Sequence, residues 1–296
     1  MHNKIEFITK PGKLRYRDES RIAKKAGPKI NFIFIHGFMG AADDFTYAID
    51  HLEKKIDLPF NVLSLDLPCH GNSINDEPSK DDSIDNIADM IHDLVMEKGW
   101  KANILVGYSM GGRIALSFAI KYPLLSKALV MESTSPGIDD EDERKAREFF
   151  DRNLFSELLK NDDQEKFKSF LHSWYKNPIF SGIQNHHGYN EMINRRLLNK
   201  PEKLQIFINH FGMGKTPSLW NRIPHIEIPS LYIVGENDRK YREIACRLEK
   251  ANSSIVFGVI EGSGHNTHFQ APERFASCLN NFLRQKGLFP AISRPV

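Results

Sequence analysis

Val106-Gly107-Tyr108-Ser109-Met110-Gly111-Gly112 is the stretch whose reading decides the fold. It follows the apolar run Asn103 to Val106 and opens a helix-length segment, Arg113 to Lys121, so its G-x-S-x-G core lies between a buried strand and a helix. Small residues two before and two after Ser109 let the chain turn sharply, lifting the hydroxyl clear of a sheet beside the positive end of the next helix. This setting marks Ser109 as a nucleophile position. Without it, the same residues would be a glycine-rich turn with a bystander serine.

Outward from the elbow, Ile30 to Ile35, Val62 to Leu65, Ala128 to Met131, Leu231 to Val234 and Ile255 to Ile260 are nearly continuous apolar runs, as expected of strands covered on both faces. Helix-length segments at Ser83 to Lys98, Arg113 to Lys121 and Arg239 to Lys250 alternate with them, which predicts a mostly parallel, doubly wound α/β sheet with its site at the carboxyl ends of the strands. Ile5 to Ile8, the turn at Pro11-Gly12 and Leu14 to Arg17 read as an opening hairpin, followed by a basic loop from Arg21 to Lys29. The alternation breaks between about Thr134 and His225, where charged helices carry Trp174, Tyr175 and Trp220. Residues 134–225 are therefore expected to be a helical lid inserted into a core of residues 1–133 and 226–296. The acidic run Asp139 to Glu143 reads as the solvated start of a lid helix.

Composition narrows the function classes. Across 296 residues, 40 basic and 38 acidic side chains nearly cancel to +2, so no overall field favours nucleic acid or an anionic membrane. The three cysteines, Cys69, Cys246 and Cys278, lie far apart without metal-site spacing, which points to a reducing compartment. No metal or cofactor is expected. With no apolar run of spanning length and no signal-like N-terminus, a cytoplasmic location is expected, with no membrane partner.

A serine hydroxyl needs a histidine to take its proton, and the histidine a carboxylate to fix its tautomer. Gly235-Glu236-Asn237-Asp238 and Gly262-Ser263-Gly264-His265 each follow a strand, giving the chain order Ser109, Asp238, His265. Glu236 is the alternative acid, nearer the strand, and His268, His36 and His70 are rival histidines. The backbone N–H groups of Phe38, in His36-Gly37-Phe38, and of Met110 are the expected oxyanion hole. Asp66, in Asp66-Leu67-Pro68-Cys69-His70-Gly71, reads as a turn residue or a catalytic carboxylate. Arg113 falls one helical turn after Ser109 on the same face. Arg144 and Arg147, on the first lid helix, and Arg195-Arg196, on a later one, would form a polyanion pocket if they faced the elbow together.

The chain resembles the 2-succinyl-6-hydroxy-2,4-cyclohexadiene-1-carboxylate synthase family of the menaquinone pathway, within the α/β hydrolases, from about Phe34 to Phe275. The motifs that carry the resemblance are Gly107 to Arg113, Glu132-Ser133-Thr134-Ser135-Pro136-Gly137-Ile138, Gly212-Met213-Gly214-Lys215-Thr216-Pro217-Ser218-Leu219-Trp220 and Gly264-His265-Asn266-Thr267-His268. The resemblance implies a lyase that eliminates pyruvate from a small polycarboxylate. Ser109, His265 and Asp238 would then serve as the base, and Tyr108, Arg113, Arg147, Trp174 and Arg196 as substrate contacts. Two positions depart from the family: Cys69, where glycine is usual, and Lys215-Thr216. A serine hydrolase, acting on esters or carbon–carbon bonds, is the alternative that the same triad would serve, and a non-enzymatic binding module is a third. The oligomeric state is not legible.

Overall fold

The computed structural model of the protein describes residues 5–7, 14–21, 29–160 and 163–289. In chain order the strands are β1 (Ile5–Phe7), β2 (Arg15–Arg21), β3 (Ile30–Ile35), β4 (Phe60–Asp66), β5 (Asn103–Tyr108), β6 (Ser126–Glu132), β7 (Ser230–Gly235) and β8 (Val256–Ile260). The α-helices are α1 (Thr46–Glu53), α2 (Ile84–Glu97), α3 (Met110–Lys121), α4 (Glu141–Asn153), α5 (Gln164–Trp174), α6 (Tyr189–Arg196), α7 (Pro201–Phe211), α8 (Arg239–Ala251), α9 (Thr267–Gln270) and α10 (Pro272–Gln285).

The strands form one eight-stranded sheet in the order β1-β2-β4-β3-β5-β6-β7-β8. Every pairing from β4 to β8 is parallel, and β2 runs antiparallel to both of its neighbours. The apolar runs become strands because helices cover both faces: every residue of β5 and of β7 is buried. One apolar layer joins α2, α3 and α8 to the sheet, and a second, carrying α1 and α10, lies on the opposite face. The chain leaves β3 through α1 and β5 through α3, on opposite faces, so the crevice at the carboxyl ends of these adjacent strands is the topological switch point where such sheets bind ligands.

Between β6 and β7 the described residues form helices and no strand. Their own apolar cluster, including Phe155, Phe167, Leu171 and Met192, reaches the core at Met39, in the turn after β3. The acidic run begins α4 as expected: the Asp140 side chain caps it, accepting from Glu143 N at 2.8 Å. The opening hairpin differs in extent. β2 continues to Arg21, which is buried and paired with Glu19, Asp50 and Glu53. Charged residues that satisfy one another on a strand hide its period-two pattern, so Arg21 belongs to the sheet and not to a loop. Ile8, Pro11-Gly12, residues 22–28 and the tail from 290 onward lie outside the described residues. Among the described residues no helix is long and apolar enough to cross a membrane.

Candidate active site

The elbow is built by exclusion. Ser109 has φ +51° and ψ −109°, a sparsely populated backbone conformation that costs an L-residue roughly 1–3 kcal/mol. A side chain on Gly107 would meet the Gly111 carbonyl oxygen at 2.3 Å, and one on Gly111 would meet that of Ile35 at 2.1 Å. Both positions must be glycine for β5, α3 and the end of β3 to approach this closely. Ser109 donates its backbone N–H to the Glu132 carbonyl at 2.8 Å, which anchors the turn to β6.

The Oγ of Ser109 lies 3.0 Å from Nε2 of His265, and Nδ1 of His265 lies 2.6 Å from Oδ2 of Asp238. Both partners are buried, and a carboxylate acceptor at Nδ1 leaves Nε2 as the proton acceptor facing the serine. Asp238 also accepts from Tyr241 N at 3.2 Å, capping α8 and fixing its own rotamer. Glu236 is exposed and accepts from Gly262 N at 2.8 Å, so its carboxylate braces the histidine loop from outside. The segment between β6 and β7 contacts that loop as well, because His265 donates its backbone N–H to the Ile179 carbonyl at 2.8 Å.

The rival histidines have structural partners. Leu67 N donates to Nε2 of His36 at 3.1 Å and Met39 N to Nε2 of His70 at 3.2 Å, so the two rings tie the turn after β3 to the turn after β4. Burial drives the pKa of His70 down to about 3 and lowers that of His36, which keeps both rings neutral acceptors. His268 pairs with Glu132 at 2.7 Å. Asp66 accepts from Ala42 N at 2.8 Å and from Asn72 Nδ2 at 2.9 Å, a turn role. Cys69 stands at φ +62°, where glycine alone avoids a steric penalty.

Met110 is the first residue of α3 and Phe38 lies just beyond β3, so their N–H groups come from the two strands at the switch point. Neither forms a backbone hydrogen bond within the described residues.

Above Ser109 lies a cavity of about 260 Å³, lined by all five expected substrate contacts. The arginines do not converge as equals. Arg113 is buried and donates from one nitrogen to the Phe211 carbonyl at 3.1 Å, while its Nε and Nη1 have no protein partner. Burial and then the nearby Arg147 lower its pKa to about 10, so it remains a cation at neutral pH. Arg147 is partly exposed and donates to Asp151 at 2.7 Å.

Arg196 departs from the expected open polyanion pocket. Its fork closes on Asp44, with both nitrogens 2.8 Å from the two carboxylate oxygens, and its Nε donates to the Tyr175 hydroxyl at 3.1 Å. Burial pushes the Asp44 pKa up, but the guanidinium outweighs it and holds the carboxyl below its usual value. Arg195 points away to Glu191, and Arg144 does not line the cavity. Sequence reasoning missed Asp44, Tyr175, Lys240 and Tyr241. The last two follow Asp238 on the first turn of α8, a proximity that could have singled them out; Asp44 carries no local signal, because its partner is 152 residues away.

The model of the alpha/beta hydrolase family matches residues 32–277. A 2-succinyl-6-hydroxy-2,4-cyclohexadiene-1-carboxylate synthase of Enterobacter sp. (strain 638) is 30% identical over 254 residues, 85% of this chain and 91% of that protein. The chain belongs to the 2-succinyl-6-hydroxy-2,4-cyclohexadiene-1-carboxylate synthase family. The synthase of Yersinia enterocolitica is 25% identical over 94% of both chains. The solved structure of MenH from S. aureus superposes with a TM-score of 0.78 at 26% identity, covering 92% of this chain and 98% of that one. A thermophilic esterase from Thermogutta terrifontis, 21% identical with a TM-score of 0.71 over 96% of this chain and 98% of its own, shares the fold. The synthase family is thus an enzyme family on a scaffold that also carries hydrolases.

Proposed function

We propose that the protein is a lyase that converts 2-succinyl-5-enolpyruvyl-6-hydroxy-3-cyclohexene-1-carboxylate to 2-succinyl-6-hydroxy-2,4-cyclohexadiene-1-carboxylate and pyruvate. Ser109, His265 and Asp238 supply the base, and residues 134–225 act as a lid over the cavity. His265 takes the Ser109 proton and the serine oxygen removes a ring proton. The electron pair left on ring carbon 2 forms a double bond to carbon 3, the double bond between carbons 3 and 4 shifts to carbons 4 and 5, and the bond from carbon 5 to the enolpyruvyl oxygen breaks. The imidazolium of His265 returns its proton to the departing enolpyruvate, which becomes pyruvate. No water is consumed. The N–H groups of Phe38 and Met110 stabilise the negative charge that develops on the succinyl carbonyl oxygen, conjugated with the ring carbon that loses its proton.

The observation that carries this reading is the state of Arg113: a buried guanidinium beside the elbow with two nitrogens unpaired by protein. Burying such a donor is costly unless an anion completes it, and a substrate with several carboxylates does so. Arg147 adds a second cation at the rim. Tyr108 and Trp174 supply flat apolar walls for the ring. Arg196, paired with Asp44 and Tyr175, shapes the wall of the cavity. Incubating the purified protein with the cyclohexene precursor is expected to release pyruvate at a kcat of about 1–10³ s⁻¹. Ser109→Ala and His265→Ala are expected to lower kcat about 10³-fold or more. Absence of pyruvate, with rapid turnover of p-nitrophenyl esters through a trapped acyl-Ser109, would assign the site to ester hydrolysis instead.

A further inference from the structure

Glu132 ends β6 directly beside the elbow: it is the register partner of Tyr108, and its carbonyl accepts the Ser109 N–H at 2.8 Å. Its side chain is fully buried and, among the described residues, pairs with no lysine or arginine. The carboxylate instead takes three hydrogen bonds from the first turn of α9, which closes the loop that carries His265. These come from Thr267 Oγ1 at 2.7 Å, His268 N at 3.0 Å and His268 Nδ1 at 2.7 Å. Ser133, the next residue, holds φ +44°, a strained conformation that persists only where its surroundings over-determine it. A buried carboxylate satisfied only by one loop is a poor source of stability, since a neutral residue of the same volume would avoid its desolvation. It is an effective way to fix where that loop starts.

We propose that Glu132 is a positioning residue that sets the Ser109–His265 contact, holding the serine through its main chain and the histidine loop through its side chain. The inference rests on Ser109 and His265 acting as a pair, but not on the identity of the substrate. His268 extends the arrangement: with Nδ1 donating to Glu132, its ring stacks on Phe45 at 4.0 Å and meets the Tyr108 ring edge-on at 4.9 Å, so the same carboxylate also orients a wall of the cavity. Losing the carboxylate would let the loop relax, lengthening the 3.0 Å contact between His265 and Ser109 on which serine activation depends.

The test compares Glu132→Gln, Glu132→Asp and Thr267→Val with the wild-type chain by the rate at which a fluorophosphonate labels Ser109, alongside thermal melting. Glu132→Gln keeps the volume but presents an amide N–H₂ where one carboxylate oxygen stood; Glu132→Asp keeps the charge but withdraws it from the loop. Both are expected to label at least tenfold more slowly than wild type with melting little changed, and Thr267→Val to fall between. With the precursor, the losses are expected in kcat and not in KM. Labelling within twofold of wild type in all three folded variants would overturn the proposal, as would slowing that merely tracks melting. A wild-type serine inert to the reagent would also overturn it, because there would be no activated pair to position. Pyruvate release is read separately, so the lyase assignment can fail while the labelling result stands.

Discussion

Arg113 shows how a residue can be unfavourable for folding and useful for binding. Its side chain is buried, yet the protein pairs only one of its three nitrogens. Replacing it with methionine, of similar length and without polar groups, removes a desolvation cost. Arg113→Met is therefore expected to keep or raise the unfolding free energy in urea, while lowering kcat/KM about 10–100-fold, the loss of one charge-assisted contact of about 1.5–3 kcal/mol. A variant that is destabilised and catalytically unimpaired would mean that Arg113 serves the fold. Arg196 behaves oppositely, since its charge is already matched by Asp44. Arg196→Gln or Asp44→Asn alone leaves a buried charge uncompensated and is expected to cost about 3–5 kcal/mol. The double variant Asp44→Asn/Arg196→Gln is expected to recover much of this, with the coupling read from urea denaturation. Additive losses would contradict the pairing.

At the scale of elements, the turns after β3 and β4 are joined through two neutral histidines, and this has a pH consequence. The His70 pKa falls from 6.5 to about 3 on burial, so below about pH 6.5 the unfolded chain takes up a proton that the folded chain refuses. Stability is therefore present above the unfolded value and declines as pH falls from about 6.5 toward 3, at a limiting slope of about 1.4 kcal/mol per pH unit. His36, lowered by the same burial, adds to this. Unfolding free energies measured from pH 7 to pH 5 are expected to fall more steeply for wild type than for His70→Gln; equal slopes would show that the ring titrates normally in the fold. The helical segment between β6 and β7 meets the same turn. Asn199, just after α6, donates to the Met39 carbonyl at 3.0 Å, one residue from Phe38. The position of Phe38 is thus braced by the sheet on one side and by the segment after α6 on the other.

At the scale of the molecule, the parallel sheet was legible because strands covered on both faces are continuously apolar, and β3, β5 and β7 are each one such run. The order of Ser109, Asp238 and His265 was legible because each lies beyond the carboxyl end of an apolar strand. What stayed hidden depends on partners distant in sequence. The full length of β2 was masked by charges that pair within the strand and with α1, and the Asp44–Arg196 pair joins residues 152 apart. The three hydrogen bonds at Glu132 are equally invisible in a motif that reads only as Glu132-Ser133-Thr134. Sequence spacing can bring arginines to one cleft, but only packing decides which of them keep open donors. Here packing leaves Arg113 the least satisfied arginine among the described residues that line the cavity, against a wall of Tyr108, Trp174 and Tyr175.

The most direct test of elimination at Ser109 is the product balance. The wild-type protein is incubated with the cyclohexene precursor, and both pyruvate and the conjugated ring diene are quantified over one time course. Elimination predicts one diene for each pyruvate, with both products lost together in Ser109→Ala. Pyruvate without diene, as water cleavage of the enol ether would give, or no pyruvate at all, would contradict it.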